Sequence, residues 1–337
     1  MLSKTEDLAL ISADGVMRAA ERLKGKAIRT PLIESVVLNE AVGGRVIIKP
    51  EVLQHYGSFK FRGAYNLLSQ LAPEARERGV IAWSSGNHAQ GVAFAAKLLG
   101  INATIVMPED APKIKAENVK RLGANIVTYD RYTEDREEVA RPIIEKYGLA
   151  IAPPFDHPHT IEGQGTMALE TFEDALERET DLDSFIICCG GGGLTAGSAL
   201  ALEAVSPDTE VWISEPEHYD ETWATIRDGK PQIADVSRWT LCDAIATPQP
   251  GKLTLPIMER LVCGGVAVTQ SDIRAAMIFA FQNLKLVVEP GGAAALAAIL
   301  SGKFDGRGKT TAIVLSGGNV DPAIFSAILD GQPIPRK

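Results

Sequence analysis

The chain has 337 residues, 45% of them hydrophobic and 23% charged, and carries a net charge of −9. That length can build one large or two medium domains with a substantial core. The acidic balance argues against nucleic acid or an anionic membrane as partner, and no uncharged apolar run of about 18 residues reads as a membrane span. The opening Met1-Leu2-Ser3-Lys4-Thr5-Glu6-Asp7 has charges ahead of a short apolar stretch broken by Asp14, which does not fit a signal peptide. Cys188, Cys189, Cys242 and Cys263 form no CxxC pair. They fit reduced thiols of a cytoplasmic protein better than a disulfide framework or a zinc site.

Strands and helices alternate along the chain. Residues 45–49 read as a strand, and 59–70 as a helix with Ser58 as N-cap. A strand at 80–83 leads to a helix at 87–99 stopped by Gly100. Strands at 104–107 and 125–128 alternate with helices at 112–122 and 134–146, closed by Gly123 and Gly148. Further on, 184–189 is a buried-type strand, 194–205 a helix and 210–214 a strand. Residues 272–284 and 293–300 read as helices, and 311–315 as a strand. Residues 229–265 have no clear periodicity. This alternation predicts an α/β fold with a parallel sheet covered by helices, and ligands then sit at the carboxyl ends of strands. The proline-rich stretch 152–158 is the best candidate for a crossing between domains.

Four motifs carry chemistry. Gly190-Gly191-Gly192-Gly193 follows a hydrophobic strand and opens a helix, where successive N–H groups and the helix dipole suit a phosphate. The bland alternative is a tight turn. A sharper one is a dinucleotide site, because Gly191-x-Gly193-x-x-Ala196 fits G-x-G-x-x-G/A and Glu215 follows about twenty residues on. An NAD-dependent dehydrogenase would place this fingerprint in mid-chain and leave Lys60 and the turn at 316–319 without a role. Lys60 stands in Gly57-Ser58-Phe59-Lys60-Phe61-Arg62-Gly63-Ala64, flanked by aromatics and bracketed by glycines. A lysine is usually a solvated charge, but one desolvated in a packed site becomes a nucleophile and base. Ser84-Ser85-Gly86-Asn87-His88 opens another helix and suits either a carboxylate or a plain N-cap. Ser316-Gly317-Gly318-Asn319 ends a strand, as a simple turn or as a hydroxyl facing a pyridine nitrogen.

Together these residues resemble the pyridoxal-phosphate enzymes of the tryptophan synthase β fold, fold type II, and most of all the serine/threonine dehydratase and serine racemase group. The likeness runs from Thr30-Pro31-Leu32 to Ser316-Gly317-Gly318-Asn319. It takes in Lys49-Pro50-Glu51, Gly163-Gln164-Gly165-Thr166 and Glu289-Pro290-Gly291-Gly292-Ala293 in family order. It implies two domains, each a mostly parallel twisted sheet flanked by helices. The large one would span 1–69 and 158–337, the small one 79–156, with 70–78 and 157 as hinges.

By that resemblance Lys60 forms the Schiff base with pyridoxal 5'-phosphate and acts as base, and Phe59 packs under the ring. Asn87 binds the ring hydroxyl, Gly190 to Gly193 hold the phosphate, and Ser316 faces the ring nitrogen. Ser85 is the opposite-face acid/base of the racemases. Ser84, Ser85, Asn87 and His88 receive the substrate carboxylate, and Arg136 reaches the substrate. A cation, Mg²⁺ or alternatively Ca²⁺ or Mn²⁺, would be held by Glu215, the Tyr219 carbonyl and Glu221, where aspartate is usual at the last position. An acidic helix start is the alternative there. Tyr56 replaces the dehydratases' usual threonine and is expected to reshape the pocket. The chain ends soon after its last strand, so isoleucine feedback through an added domain is not expected. The implied activity is dehydration of a β-hydroxy amino acid of the serine, threonine or 3-hydroxyaspartate type to a 2-oxo acid and ammonia. Racemisation is the alternative, and a cytoplasmic homodimer the expected assembly.

Overall fold

The structure is a computed structural model that describes residues 8, 10–111 and 113–334. The opening heptapeptide and Pro112, the expected start of one helix, lie outside the described residues. The elements in order are α1 (Ala13–Leu23), α2 (Val36–Val42), β1 (Arg45–Pro50), α3 (Lys60–Leu68), α4 (Pro73–Arg78), β2 (Val80–Trp83), α5 (Asn87–Leu99) and β3 (Ala103–Pro108). There follow α6 (Lys113–Arg121), β4 (Asn125–Tyr129), α7 (Arg136–Tyr147), β5 (Ala150–Ile151), α8 (Pro158–Leu176), β6 (Ser184–Cys188), α9 (Gly193–Val205) and β7 (Glu210–Pro216). The last are α10 (Glu221–Asp228), α11 (Thr254–Leu261), β8 (Val262–Val268), α12 (Gln270–Phe279), α13 (Ala294–Leu300), β9 (Thr310–Leu315) and α14 (Pro322–Leu329).

Two all-parallel sheets result: the alternation predicts the parallel pairing, and the resemblance implies the second sheet. One has five strands in the order β1-β9-β6-β7-β8, the other four in the order β4-β3-β2-β5. β6 lies at the centre of the larger sheet and is buried along its whole length. The larger core gathers around it, with Phe185, Ile186 and Ile187 packed against Ile313, Leu315 and the alanines of α13. A second core covers one face of the smaller sheet. Helix α3 contributes Phe61, Tyr65, Leu67 and Leu68 to that second core, although the resemblance assigns residues 1–69 to the large domain.

Local signals explain most boundaries. Gly100 ends α5 at φ 67°, donating to Ala96 O and Lys97 O. The Asp135 carboxylate accepts from the N–H groups of Glu137 and Glu138 and starts α7. Thr269 and Asp272 form a capping box on α12, whose predicted extension to 284 becomes a π-helical turn at Ala280–Leu284. Ser58 does not cap α3 as expected. Its backbone is extended and pairs with Gly317, so the helix begins from Phe59 without a side-chain cap. Helices α1, α2, α4, α8, α11 and α14 and strands β5 and β8 lie outside the sequence expectations.

Candidate active site

The central turn follows β6. Gly190 to Gly193 lead into α9, and each glycine is held there by crowding. A Cβ on Gly191 would lie 2.4 Å from the Phe155 ring, and one on Gly193 would lie 2.5 Å from Gln164 Oε1. Gly192 has φ +86°, where only glycine is comfortable. Gly191 O accepts from Gly251 N at 3.1 Å and from Thr254 Oγ1 at 2.7 Å. The outer loop therefore clamps the carbonyl side of the turn and leaves a cradle of backbone at the start of α9.

Lys60 begins α3. The preceding turn is zipped to the turn after β9: Phe59 N donates to Ser316 O at 3.1 Å and Gly318 N to Gly57 O at 2.9 Å. The Lys60 ammonium donates to Pro154 O at 2.9 Å, a carbonyl that also accepts from Gln164 Nε2 at 3.0 Å. It lies 4.9 Å from the centroid of the buried Phe59 ring. Burial pulls this amine down to about 8, against weaker upward pulls from Cys188 and Glu289. A lysine near 8 has a substantial neutral fraction at ordinary pH.

The small sheet supplies the opposite turn. Gly86 stands at the N-cap position of α5 and makes no side-chain cap bond, so neither Ser85 nor Asn87 caps the helix. The Ser84 hydroxyl accepts from Gly86 N at 3.1 Å. His88 donates through Nε2 to Ala152 O at 2.7 Å, and its Nδ1 is buried without a partner. Burial first, then the nearby Lys60 charge, lower its pKa to about 3. The ring is neutral, and Nδ1 is a bare acceptor. An anion at this helix start therefore meets the His88 backbone rather than a charged ring.

Ser316 follows β9. Its Oγ accepts from the Cys188 thiol at 3.1 Å, which leaves its own O–H to donate elsewhere. Burial pushes the Cys188 thiol up to about 11, so it stays protonated as that donor. One cleft of about 660 Å³ brings together Phe59, Lys60, Ser84, Ser85, Asn87, His88, Gly190 to Gly193 and Ser316, with Arg136 also in its wall. The volume suits a small cofactor with its substrate.

The expected cation ligands stand apart from that cleft. Glu215 is buried and accepts from Thr222 N at 3.3 Å and Trp223 N at 2.9 Å, so its carboxylate sits at the first turn of α10. Glu221 is also buried, with Oε2 unpartnered, and desolvation pushes its carboxyl up to about 7. The Tyr219 hydroxyl donates to Arg238 O, away from these carboxylates. Among the described residues no three acidic, histidine or cysteine side chains gather as a metal-type cluster.

Tyr56, expected to reshape the pocket, does not line the cleft. Its ring is 38% exposed and packs 4.8 Å from Phe94. Phe155, Cys188, Glu289 and the carbonyl of Pro154 are cleft features that the sequence reading gave no role. Glu289 lay within a quoted motif and Phe155 within the proline-rich crossing, so position in the chain was the available signal.

A fold type II architecture with a lysine and a glycine cradle in one cleft defines a pyridoxal-phosphate enzyme. The family model for pyridoxal-phosphate dependent enzymes matches residues 23–317, and the chain belongs to that family. It is 42% identical to an L-threo-3-hydroxyaspartate ammonia-lyase of a Pseudomonas species, over 96% of this chain and 100% of that protein. It is 40% identical to an L-threonine ammonia-lyase of Thermotoga maritima, over 95% of this chain and 79% of that one. Among solved structures, maize serine racemase superposes with a TM-score of 0.88 at 38% identity, covering 93% of this chain and 94% of that chain. The chain is an enzyme, and the dinucleotide alternative has no support from these matches. The residues present fit the cofactor: the cradle is one that any Cβ would fill, and it shares its cleft with the Lys60 amine and the Ser316 hydroxyl.

Proposed function

We propose that this enzyme is an ammonia-lyase converting a β-hydroxy amino acid to a 2-oxo acid and ammonia. The carrying observation is Lys60, a desolvated amine near pKa 8 in the same cleft as the glycine cradle. Bound there, pyridoxal phosphate supplies an electron sink for the bond broken at the substrate Cα. Gly190 to Gly193 hold its phosphate, Phe59 packs against its ring, and Ser316 and Asn87 meet its ring nitrogen and hydroxyl. Lys60 takes the Cα proton as general base. The helix start at Ser84, Ser85, Asn87 and His88 holds the substrate carboxylate, while Arg136 offers a charge to an acidic substituent at Cβ. The Cα proton and the β-hydroxyl leave as one water, and a second water hydrolyses the remaining enamine to the 2-oxo acid and ammonia.

A panel of serine, threonine and 3-hydroxyaspartate assayed for 2-oxo acid tests this reading. Lys60→Ala should lower turnover at least about 1,000-fold while the fold persists. Unchanged ammonia release by that variant would sink the assignment. Racemisation is the second reading, supported by Ser85 in the same cleft wall.

Mg²⁺, or alternatively Ca²⁺ or Mn²⁺, at Glu215, the Tyr219 carbonyl and Glu221 is the proposed structural cation. The unpartnered Glu221 Oε2 supports it, since a buried carboxylate oxygen calls for a partner. We also propose a cytoplasmic homodimer. Its supports are four unpaired cysteines and a surface groove where exposed Leu53 and Val287 flank half-buried Val52 and Leu286. No helix among the described residues is long and apolar enough to cross a membrane.

A further inference from the structure

Asn319 and Glu289 fall in motifs that the proposed reaction leaves without a role. The structure joins them through Asn87. Asn319 Nδ2 donates to Tyr56 O at 2.7 Å and to Asn87 Oδ1 at 2.7 Å. Asn87 Nδ2 then donates to Glu289 Oε1 at 2.5 Å. The chain of bonds runs from the turn before Lys60, through the turn after β9, to the start of α5 and the loop before α13.

Its two ends decide its direction. A backbone carbonyl at Tyr56 and a carboxylate at Glu289 are acceptors. Asn319 must therefore turn its nitrogen toward Tyr56, and Asn87 its nitrogen toward Glu289. Both N–H bonds of Asn319 are used, and the Asn87 carbonyl oxygen is taken. The Asn87 amide keeps one N–H, and Asn87 forms part of the cleft wall. A flipped Asn87 would set its oxygen against Glu289 and its nitrogen against the Asn319 nitrogen, which is disfavoured twice over.

We propose that Asn319 is a positioning residue that fixes the Asn87 amide with its remaining N–H directed at the cofactor's ring hydroxyl. This rests on the reading above that Asn87 meets that hydroxyl. The same bonds tie the small-sheet helix carrying Asn87 to the turn carrying Lys60, so the base and the ring-hydroxyl donor share one register.

The test is the pyridoxal-phosphate dissociation constant of the full chain, read from its visible absorption band, in a double-mutant cycle. Asn87→Ala should weaken binding about 5- to 10-fold. Asn319→Ala should weaken it by a similar factor in the wild-type background and by less than about 2-fold on top of Asn87→Ala. Asn319→Asp should be worse than Asn319→Ala, because it sets a carboxylate against two acceptors. Asn319→Ser enters the same cycle if Asn319→Ala melts early. An equal loss from Asn319→Ala in both backgrounds overturns the proposal and assigns Asn319 to bracing the Tyr56 turn alone. Unchanged affinity in Asn87→Ala overturns the reading of Asn87 itself, and the proposal with it.

Discussion

The two strand-to-helix turns of the cleft are built on opposite plans. The turn after β6 has no room: Phe155, Gln164, Met258 and Ile245 lie where side chains would start. The turn after β2 is open, since a Cβ on Gly86 would meet nothing within 4 Å. A crowded backbone cradle can grip only a fixed shape, as a phosphate is. An open turn with hydroxyls and spare N–H groups can accept and release a reactant without moving the cofactor anchor. On the proposed reading, cofactor anchoring and substrate exchange are thus divided between the two sheets.

Substitutions at the two turns sharpen that contrast most. Gly191→Asp should weaken cofactor affinity about 100-fold, combining overpacking against Phe155 with a charge in an anion cradle. Gly86→Ala should lower the melting temperature by no more than about 3 °C, because the methyl enters open space and only the N-cap backbone at φ −118°, ψ −140° resists it. Equal penalties at both positions would break the comparison.

Ser85 tests whether the open turn does chemistry or only binds. Ser85→Ala should suppress racemisation at least about 100-fold if it supplies a second proton, while elimination, which needs only Lys60 to break the Cα–H bond, falls far less. Matched losses in the two activities would confine Ser85 to binding.

Lys60 belongs to the crowded side, and its titration measures how dry that side is. In cofactor-free chain, amine-selective labelling of Lys60 should follow a pKa of about 8. Exposed lysines should follow values near 10.4. Folding lowers this pKa, so the folded state carries a penalty at and below about pH 8 that fades as pH rises toward the unfolded value. A Lys60 that labels in step with the surface lysines would mean a wet pocket.

The smallest effect concerns the proposed cation at the end of β7, the strand beside β6. Added Mg²⁺ or Ca²⁺ should raise the melting temperature by a few degrees through preferential binding to the folded state. Glu215→Gln should abolish the response and leave cofactor absorption largely unchanged. A metal-stripped enzyme that melts identically with and without cation leaves Glu215 as a cap on α10 alone.

The sequence reading found every strand but β5 and β8 where hydrophobic runs end in turn residues, and it found the glycine turn because four glycines at a strand end are hard to explain otherwise. It missed α8, whose Gly163 and Gly165 look like helix breakers. Those glycines are there for contact: a Cβ on Gly165 would lie 2.3 Å from Gly197 O, and one on Gly163 would lie 2.7 Å from Arg62 O. It missed β8 for a similar reason, since Gly264 and Gly265 make room for Trp212 and Trp223. Tertiary packing decides both, and a local window does not contain it. The roles of Glu289 and Asn319 were illegible because each depends on a partner some 200 or more residues away.

The glycines of α3, α8 and α9 carry a last consequence. Gly63 abuts the Thr160 carbonyl, Gly163 abuts Gly63 in turn, and Gly165 and Gly197 press Cα against Cα. Only the Gln164 and Asn66 side chains join the main chain in this seam, so it offers few rotamers for the small sliding steps by which packed helices shear. The shoulder that carries Lys60 is therefore packed to resist sliding, which keeps the amine in one register with the helix start of α9.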